Sequence, residues 1–254
     1  MPGGIWERCA GAEQIRRLGA KAWRVVEGQH VISTRKLVDT AEEQEILERL
    51  LDAQKPAYPA DPAFAGLHYL LATPFRYPPL RHGSRFGTRL EPSLWYGARG
   101  LRTALAESAY YRLLFLAGSA ADLEPVVVEM SAFRASIRTS RGVDLCRAPF
   151  ERHRAAIASP TRYGQTQRLG AAMRAAGVEA FRYPSARDPR GGTNVALFTP
   201  RAFSGTLPET PEIWSAVASR DAVEFSKRDV YRRRWIRFPR ESFEVDGRLP
   251  APAL

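Results

Sequence analysis

The sequence is poor in the residues that most often bind metals. Its 254 residues include only four histidines and two cysteines, Cys9 and Cys146. Neither residue type shows the spacing of a zinc site, and two distant cysteines cannot form a disulfide framework. We therefore expect no metal site and no stabilising disulfide.

Several familiar motifs are also missing. The chain has no P-loop, no Gly-x-Gly-x-x-Gly and no His-Glu-x-x-His, and Ser185 lacks the Gly-x-Ser-x-Gly context of a hydrolase nucleophile. No apolar run is long enough to cross a bilayer, and the first residues lack the apolar segment of a secretory signal. These absences lead us to expect a cytoplasmic protein that does not bind membranes.

Positive charge, by contrast, is abundant. The formal net charge is +11 and the calculated pI is about 10.2, while 44% of the residues are hydrophobic. The hydrophobic content is sufficient for a packed core, so global disorder is not expected. The charge favours an anionic partner, which could be a nucleotide, a nucleic acid or an acidic protein.

The pattern of segments predicts an α+β protein with a mixed, mainly antiparallel β core and flanking helices. Helices are predicted over 40–54, 101–117 and 166–176, and strands over 67–72, 93–96, 126–130, 178–183 and 194–198. A proline-containing loop at 57–62 is the best candidate boundary. We thus predict an N-terminal helical lobe (1–60), a core domain (61–205) and a basic C-terminal extension (206–254).

One loop of the predicted core domain is crowded with arginines. They alternate with aromatic residues and with two glycines, and they are Arg76, Arg81, Arg85 and Arg89. A solvated basic surface is one interpretation. We favour a phosphate-binding loop, because glycines let a ligand approach the backbone and guanidinium groups bind phosphate in a bidentate manner.

Three residues outside this loop gain meaning when they are taken together. Tyr96 ends a predicted strand, and Ser185 lies in a predicted turn. Glu107 lies on the predicted helix 101–117, roughly 200° from Leu105, and so points away from the apolar face. Alone, each is more typical of a structural role. With the arginines they indicate a pocket for a dinucleotide whose glycosidic bond is broken.

The same residues carry a family resemblance. Gly83-Ser-Arg-Phe86, Trp95-Tyr96, Thr103-Ala-Leu-Ala-Glu107 and Pro184-Ser185 ahead of Asn194-Val-Ala-Leu-Phe198 resemble the RES domain, which is named for its arginine, glutamate and serine. Arg85, Tyr96 and Glu107 follow one another at intervals of eleven residues, and Arg76-Tyr77 resembles an earlier Arg-Tyr pair of the family. The resemblance extends over about residues 67–205.

The resemblance implies a fold like that of the ADP-ribosyltransferases of the diphtheria-toxin type. It also implies degradation of NAD⁺, by hydrolysis or phosphorolysis, in a toxin that is neutralised by an Xre-type helix-turn-helix antitoxin. The implied catalytic residues are Glu107, Arg85 and Ser185, and the implied NAD⁺-binding residues are Arg76, Tyr77, Arg85 and Tyr96. NAD⁺ would be a substrate and inorganic phosphate a co-substrate of phosphorolysis, so no cofactor is expected.

Two other functions stay open at this point. The first is transfer of ADP-ribose to a protein, which the sequence does not separate from NAD⁺ degradation because the acceptor is not part of the chain. The second is a nucleic-acid-binding module in segment 227–240, where Tyr231, Trp235 and Phe238 alternate with arginines. We favour a basic segment packed on the core or on an acidic antitoxin, and expect no direct nucleic-acid binding. The sequence also leaves open whether the protein is a homodimer.

Overall fold

The computed structural model describes residues 3–28, 37–121, 124–227 and 234–251. In that part of the chain one sheet contains the strands β1 (Arg16–Glu27), β2 (Trp95–Ala98), β3 (Val126–Asp144), β4 (Ala180–Pro184), β5 (Thr193–Leu197), β6 (Glu212–Ala218), β7 (Ala222–Lys227) and β8 (Arg234–Pro239). The α-helices are α1 (Ile5–Arg8), α2 (Ala41–Ala53), α3 (Tyr69–Arg76), α4 (Leu101–Ala117), α5 (Arg154–Ile157) and α6 (Gly164–Ala175). None of these helices has both the length and the apolar character that a membrane span requires.

The long strand β3 organises the sheet. The strand order is β1-β2-β5-β4-β3-β6-β7-β8, and β1 also pairs with β3. The strands β1, β2, β5, β4 and β3 therefore close into a ring, from which β6, β7 and β8 extend. Among the strand pairs of the described residues, only β3 with β4 is parallel. The prediction of a mixed, mainly antiparallel sheet with flanking helices is confirmed.

The two predicted terminal regions are parts of this sheet. Helix α2 forms within the predicted helical lobe 1–60, but residues 16–27 form β1, so the prediction of a helical lobe is wrong there. The strand was missed because it buries small or widely spaced side chains, such as Leu18 and Ala22, which give little alternation. In the predicted extension 206–254, residues of β6, β7 and β8 continue the sheet.

The predicted strand 67–72 is also wrong, because residues 69–76 form helix α3. The side chain of His68 caps the helix by accepting a hydrogen bond from the Leu70 N–H at 3.2 Å. Leu71, Ala72 and Phe75 are buried at helical spacing and fix the helix on the core. Pro74 lies near the end of this short helix, where its missing N–H removes a single helical hydrogen bond.

Helix α4 matches the predicted helix 101–117 and crosses the ring beside β1, β2 and β5. Leu105, Ala109 and Leu113 are buried against the apolar core that includes β6 and β7. Glu107 is partly exposed and belongs to another face of the helix. The fold thus presents Glu107 from a long, well-anchored helix.

The loop 82–87 is held down by α6. The side-chain amide of Gln167 donates hydrogen bonds to the carbonyl oxygens of His82 and Ser84, both at 3.1 Å. A Cβ at Gly170 would collide with the Phe86 carbonyl oxygen, so glycine permits this close approach. Phe86 itself is buried. The arginine-bearing loop is therefore fixed where it meets α6.

The basic C-terminal segment divides between buried and exposed side chains. Phe238 is buried against Phe225, and Trp235 is exposed on β8, whereas Tyr231 lies outside the described residues. Arg237 is paired with Glu224 at 3.3 Å. Phe238 is thus a core residue rather than a stacking surface for a base.

Candidate functional site

A cavity of about 290 Å³ opens between α4, β1, β2 and the loop 82–87. Its lining combines arginines, tyrosines and a single acidic side chain within the described part of the chain. The polar members that matter most are Arg24, Arg85, Tyr96, Glu107, Tyr163, Arg187 and Asn194. Three guanidinium groups thus face one carboxylate in the same space.

Glu107 is held in place by two hydrogen bonds to the same carboxylate oxygen. Its Oε1 accepts from the Ser185 hydroxyl at 2.7 Å and from the Asn194 Nδ2 at 2.6 Å. No hydrogen bond to its Oε2 is found among the residues that the structure describes. The carboxylate is therefore oriented through one oxygen while the other stays free to meet a ligand.

Ser185 is almost fully buried and donates to Glu107. Its Oγ accepts hydrogen bonds from the backbone N–H groups of Arg187 and Asp188, both at 3.1 Å. The hydroxyl proton is therefore directed to Glu107, and the oxygen lone pairs are occupied. This geometry suits a positioning residue rather than a nucleophile, as the sequence also suggested.

Arg85 is held by neutral groups. Its Nη1 donates to the Ser159 carbonyl oxygen at 2.7 Å, and its guanidinium lies 4.7 Å from the centre of the Tyr163 ring. No carboxylate within the described residues pairs with it. The carbonyl and the ring orient the guanidinium without neutralising its charge.

Tyr96 joins strand β2 to the loop that carries Arg85. Its hydroxyl lies 2.8 Å from the Ser84 Oγ and accepts a hydrogen bond from the Phe86 N–H at 3.3 Å. Burial raises the pKa of Tyr96 to about 12, although these two hydrogen bonds act in the opposite direction. The phenol is therefore neutral near pH 7, and its ring lines the cavity.

Arg76 is not brought to the cavity, so its predicted place in the site is wrong. Its guanidinium lies over the ring of Tyr58, 4.7 Å from the centroid, and it donates to the carbonyl oxygens of Lys55 and Pro56. Arg76 lies at the end of α3, which directs it towards the loop before the helix. Arg76 is therefore not part of the candidate site.

Tyr77 lies in a second cavity, of about 420 Å³, that adjoins the first. Arg24, Ser84, Tyr96, Tyr111 and Tyr163 line both cavities, which therefore form one elongated cleft. The second part is rich in proline, leucine and tyrosine side chains. The cleft thus has a charged end that contains Glu107 and a less polar end that contains Tyr77.

The sequence analysis missed Arg24 as a site residue. Its Nη1 donates to the Tyr96 carbonyl oxygen at 2.6 Å, and its Nε is buried with no hydrogen-bond partner in the described residues. Burial lowers the pKa of Arg24 to about 10, so the side chain is still a cation near pH 7. The residue was missed because β1 itself was not predicted.

The sequence analysis also assigned no role to Arg187 or to Asn194. Both are almost fully buried, and both line the cavity. Their positions in the sequence contained the signal, because Arg187 is in the same turn as Ser185 and Asn194 is the second residue of β5, which pairs with β4 just before Ser185. The turn between β4 and β5 thus brings both side chains into the cavity that contains Glu107.

The chemistry of this cleft favours an anionic ligand with flat rings. Three arginines and one carboxylate of the described residues line the cavity, and guanidinium groups that are partly or fully buried gain from a ligand that supplies negative charge. Tyr183, which also lines the cavity, is kept neutral, because burial and then the charge of Glu107 raise its pKa well above 10. In residues 3–28, 37–121, 124–227 and 234–251, no group of three or more His, Cys, Asp or Glu side chains is placed to hold a metal ion.

Comparison with known proteins gives one informative result. No curated protein matches the chain. The family model of the RES domain, however, matches residues 56–217, which is more than half of the chain and includes Arg85, Tyr96, Glu107, Ser185 and Asn194. Arg24 precedes the matched segment, and β8 follows it. The match confirms the resemblance stated from the sequence: this chain belongs to the RES domain family.

Proposed function

We propose that the protein cleaves the nicotinamide–ribose bond of NAD⁺ and transfers the ADP-ribosyl group to phosphate or to water. The observation that carries the proposal is the position of Glu107. Its carboxylate is fixed by Ser185 and Asn194 and faces a cleft that is otherwise cationic and aromatic. Such a cleft suits a dinucleotide, with one acid beside the ribose.

The proposed reaction requires little proton transfer to the leaving group. The bond between C1″ of the nicotinamide-bearing ribose and the nicotinamide nitrogen breaks, and its electron pair leaves with nicotinamide, which departs neutral. The ribose passes through an oxocarbenium-like transition state. Glu107 Oε2 would accept a hydrogen bond from a ribose hydroxyl and oppose the developing positive charge, a contribution of about 3 kcal/mol. A water or phosphate oxygen then bonds to C1″, and the proton from water passes to solvent.

The remaining residues would bind the dinucleotide. Arg85 and Arg24 are the proposed ligands of the diphosphate, because both line the cleft and neither is neutralised by a carboxylate of the described residues. Tyr96 would pack against the nicotinamide or its ribose, and Tyr77 would contact the part of NAD⁺ in the second cavity. We further propose that the ring of strands corresponds to an ADP-ribosyltransferase-like fold.

Product analysis tests this proposal directly. Purified protein is incubated with NAD⁺, with and without inorganic phosphate, and the products are separated by chromatography. We expect nicotinamide in both reactions, with ADP-ribose formed by hydrolysis or ADP-ribose 1″-phosphate formed by phosphorolysis. Intact NAD⁺ in both reactions would contradict the proposal. The same products from a heat-inactivated sample would show that the cleavage is not enzymatic.

Transfer of ADP-ribose to a protein is the second candidate, and one observation favours it. A third cavity, of about 510 Å³, shares Val25, Ser108 and Tyr111 with the site and continues along α4 past the exposed Phe115. An apolar groove that begins at the reacting groups could hold an acceptor protein. NAD⁺ labelled in the adenine moiety distinguishes the two: label on protein supports transfer, and label confined to small molecules supports degradation.

We further propose that the protein is the toxin of a type II toxin–antitoxin pair and that it is neutralised by a helix-turn-helix protein. Depletion of NAD⁺ would account for toxicity without any further activity. Induced expression in a bacterial host should stop growth and lower cellular NAD⁺, and co-expression of the cognate antitoxin should restore both. Growth arrest at unchanged NAD⁺ would contradict this mechanism.

A further inference from the structure

We propose that Arg187 and Arg85 form a binding site for a phosphate oxyanion beside Glu107. This inference deepens the function proposed above. Only the identity of the bound phosphate rests on that function. That phosphate belongs either to the dinucleotide or to free inorganic phosphate. The contacts of Arg187 give the first reason.

Arg187 is a buried cation with a free donor group. Its side chain is 3% exposed, and its guanidinium lies 3.6 Å from the centre of the Tyr110 ring. Nη2 donates to the Pro160 carbonyl oxygen at 2.9 Å and to the Tyr163 hydroxyl at 3.3 Å, whereas Nη1 is buried with no partner in the described residues. A buried donor of a charged group without a partner is costly, so a ligand oxygen at Nη1 would stabilise it.

Arg187 and Arg85 are oriented by the same short segment, residues 157–163. The carbonyl oxygens of Ile157 and Ser159 accept from Arg85, and the carbonyl oxygen of Pro160 accepts from Arg187. Tyr163 joins the two, because Arg85 lies over its ring and Arg187 donates to its hydroxyl. One segment therefore holds both guanidinium groups at the same end of the cavity.

The way in which these arginines are held leaves their charge available. Carbonyl oxygens and aromatic rings orient a guanidinium but carry no formal charge. The nearest acid in sequence, Asp188, is engaged elsewhere: its Oδ2 accepts from the Thr103 hydroxyl at 2.8 Å and its Oδ1 from the Arg190 N–H at 3.0 Å. Neither guanidinium group forms an ion pair with a carboxylate of the described residues, and Glu107 is the one acid among them that lines the same cavity.

The site also lies at the reacting group. Arg85, Arg187 and Glu107 line the same cavity, and the backbone N–H of Arg187 donates to the Ser185 Oγ, which in turn donates to Glu107 Oε1. Two guanidinium groups offset the repulsion between a bound phosphate and Glu107. A phosphate held there would be close to the ribose that Glu107 contacts in the proposed reaction.

Calorimetric titration tests the site without NAD⁺ turnover. Inorganic phosphate and ADP are titrated into the wild-type protein and into Arg187→Gln, Arg187→Lys and Arg174→Gln variants at constant ionic strength. Arg174 is the matched control, because it also lies over an aromatic ring, that of Phe198 at 4.4 Å, and donates to a carbonyl oxygen, yet it does not line the cleft.

We expect Arg187→Gln to weaken binding of at least one of the two ligands by about tenfold or more, since hydrogen bonds between charged groups are the strong ones. Arg187→Lys keeps the positive charge but lacks the planar guanidinium group that can donate two parallel hydrogen bonds. It should weaken binding by about fivefold. Arg174→Gln should bind as the wild type does. Wild-type affinity of Arg187→Lys for both ligands would overturn the inference, and this variant decides the matter even where Arg187→Gln fails to fold.

The two ligands distinguish the source of the phosphate. Weaker binding of ADP, with a raised KM for NAD⁺, assigns the site to the dinucleotide. Weaker binding of inorganic phosphate, with unchanged hydrolysis in its absence, assigns the site to the co-substrate. Because the titrations need no catalysis, a protein that binds phosphate through Arg187 but leaves NAD⁺ intact would support this inference while the proposed function fails.

Discussion

The arginines of the cleft are held differently from those of the outer sheet, which is the part of the sheet formed by β6, β7 and β8 beyond the ring. In the cleft, Arg24, Arg85 and Arg187 donate to carbonyl oxygens and lie near aromatic rings. On β8 and just after it, Arg237 and Arg240 are paired with the carboxylates of Glu224 and Glu244. The first group is oriented but not neutralised, and the second is neutralised at a surface.

This difference indicates which of the arginines that contribute to the net charge of +11 can bind a ligand. An exposed ion pair contributes about 0–1 kcal/mol, so the surface pairs add little to stability or to binding. A buried guanidinium that lacks a counter-ion destabilises the empty protein and is stabilised by an anion. We therefore infer a negatively charged ligand from the way in which the arginines of the cleft are held, and not from the number of arginines in the chain.

The largest effect should come from changing Glu107, the one acidic side chain of the described residues that lines the cleft. Glu107→Gln keeps the shape and an oxygen that can accept from Ser185 and Asn194, but it removes the negative charge. We expect kcat for NAD⁺ cleavage to fall about 100- to 1000-fold, because a carboxylate that opposes the developing cation acts in the transition state. Stopped assays of nicotinamide release would measure the loss.

A matched control for this variant is Glu224→Gln, which removes an acid from the outer sheet. It should cleave NAD⁺ at the wild-type rate. A Glu107→Gln protein with wild-type kcat would show that the carboxylate is not part of the reaction, whatever its geometry.

Ser185 should have the next largest effect, because it positions Glu107 without contacting the substrate. Ser185→Ala removes one of the two hydrogen bonds to Oε1, and we expect kcat to fall about tenfold while KM changes little. It also leaves the N–H groups of Arg187 and Asp188 without their acceptor, which should lower the free energy of unfolding by about 1–3 kcal/mol.

Ser185→Thr, which keeps the hydroxyl, should restore most of kcat. Steady-state kinetics and thermal unfolding of both variants separate positioning from stability. A kcat loss in Ser185→Ala that Ser185→Thr fails to restore would point to a steric role instead.

Arg24→Gln should raise KM for NAD⁺ by about tenfold with a smaller change in kcat, as expected for a group that binds the diphosphate. Burial lowers the pKa of Arg24 only to about 10, and the group remains cationic below that value. The effect on KM should therefore be the same at about pH 6 and about pH 8. An effect present at only one of these pH values would show that another group determines binding.

The sequence predicted the candidate site better than it predicted the chain that surrounds it. Helix α4 and the position of Glu107 followed from apolar spacing, because the helix buries leucine and alanine at regular intervals. Arg85 and Ser185 followed from short motifs. Arg24 did not, since the strand that carries it pairs with residues more than a hundred positions away and shows weak alternation.

Arg76 shows the opposite error. It is near Arg85 in sequence, and a loop was predicted to bring both to one pocket. Residues 69–76 instead form a helix, whose end directs Arg76 to the carbonyl oxygens before it. Proximity along the chain therefore gave a wrong position for Arg76, because the local structure was predicted wrongly. The spacing of residues on the correctly predicted helix α4 gave the right position for Glu107.

The smallest effect should come from Arg237, which completes the comparison. Its partner Glu224 is 3.3 Å away on the neighbouring strand, and both side chains are about half exposed. Arg237→Gln should change the free energy of unfolding by about 1 kcal/mol or less, and should leave KM and kcat for NAD⁺ unchanged. Chemical denaturation and steady-state kinetics would measure both. A raised KM would mean that the outer sheet also attracts the substrate. Net charge alone would then explain binding, and it would not matter whether an arginine is paired with a carboxylate.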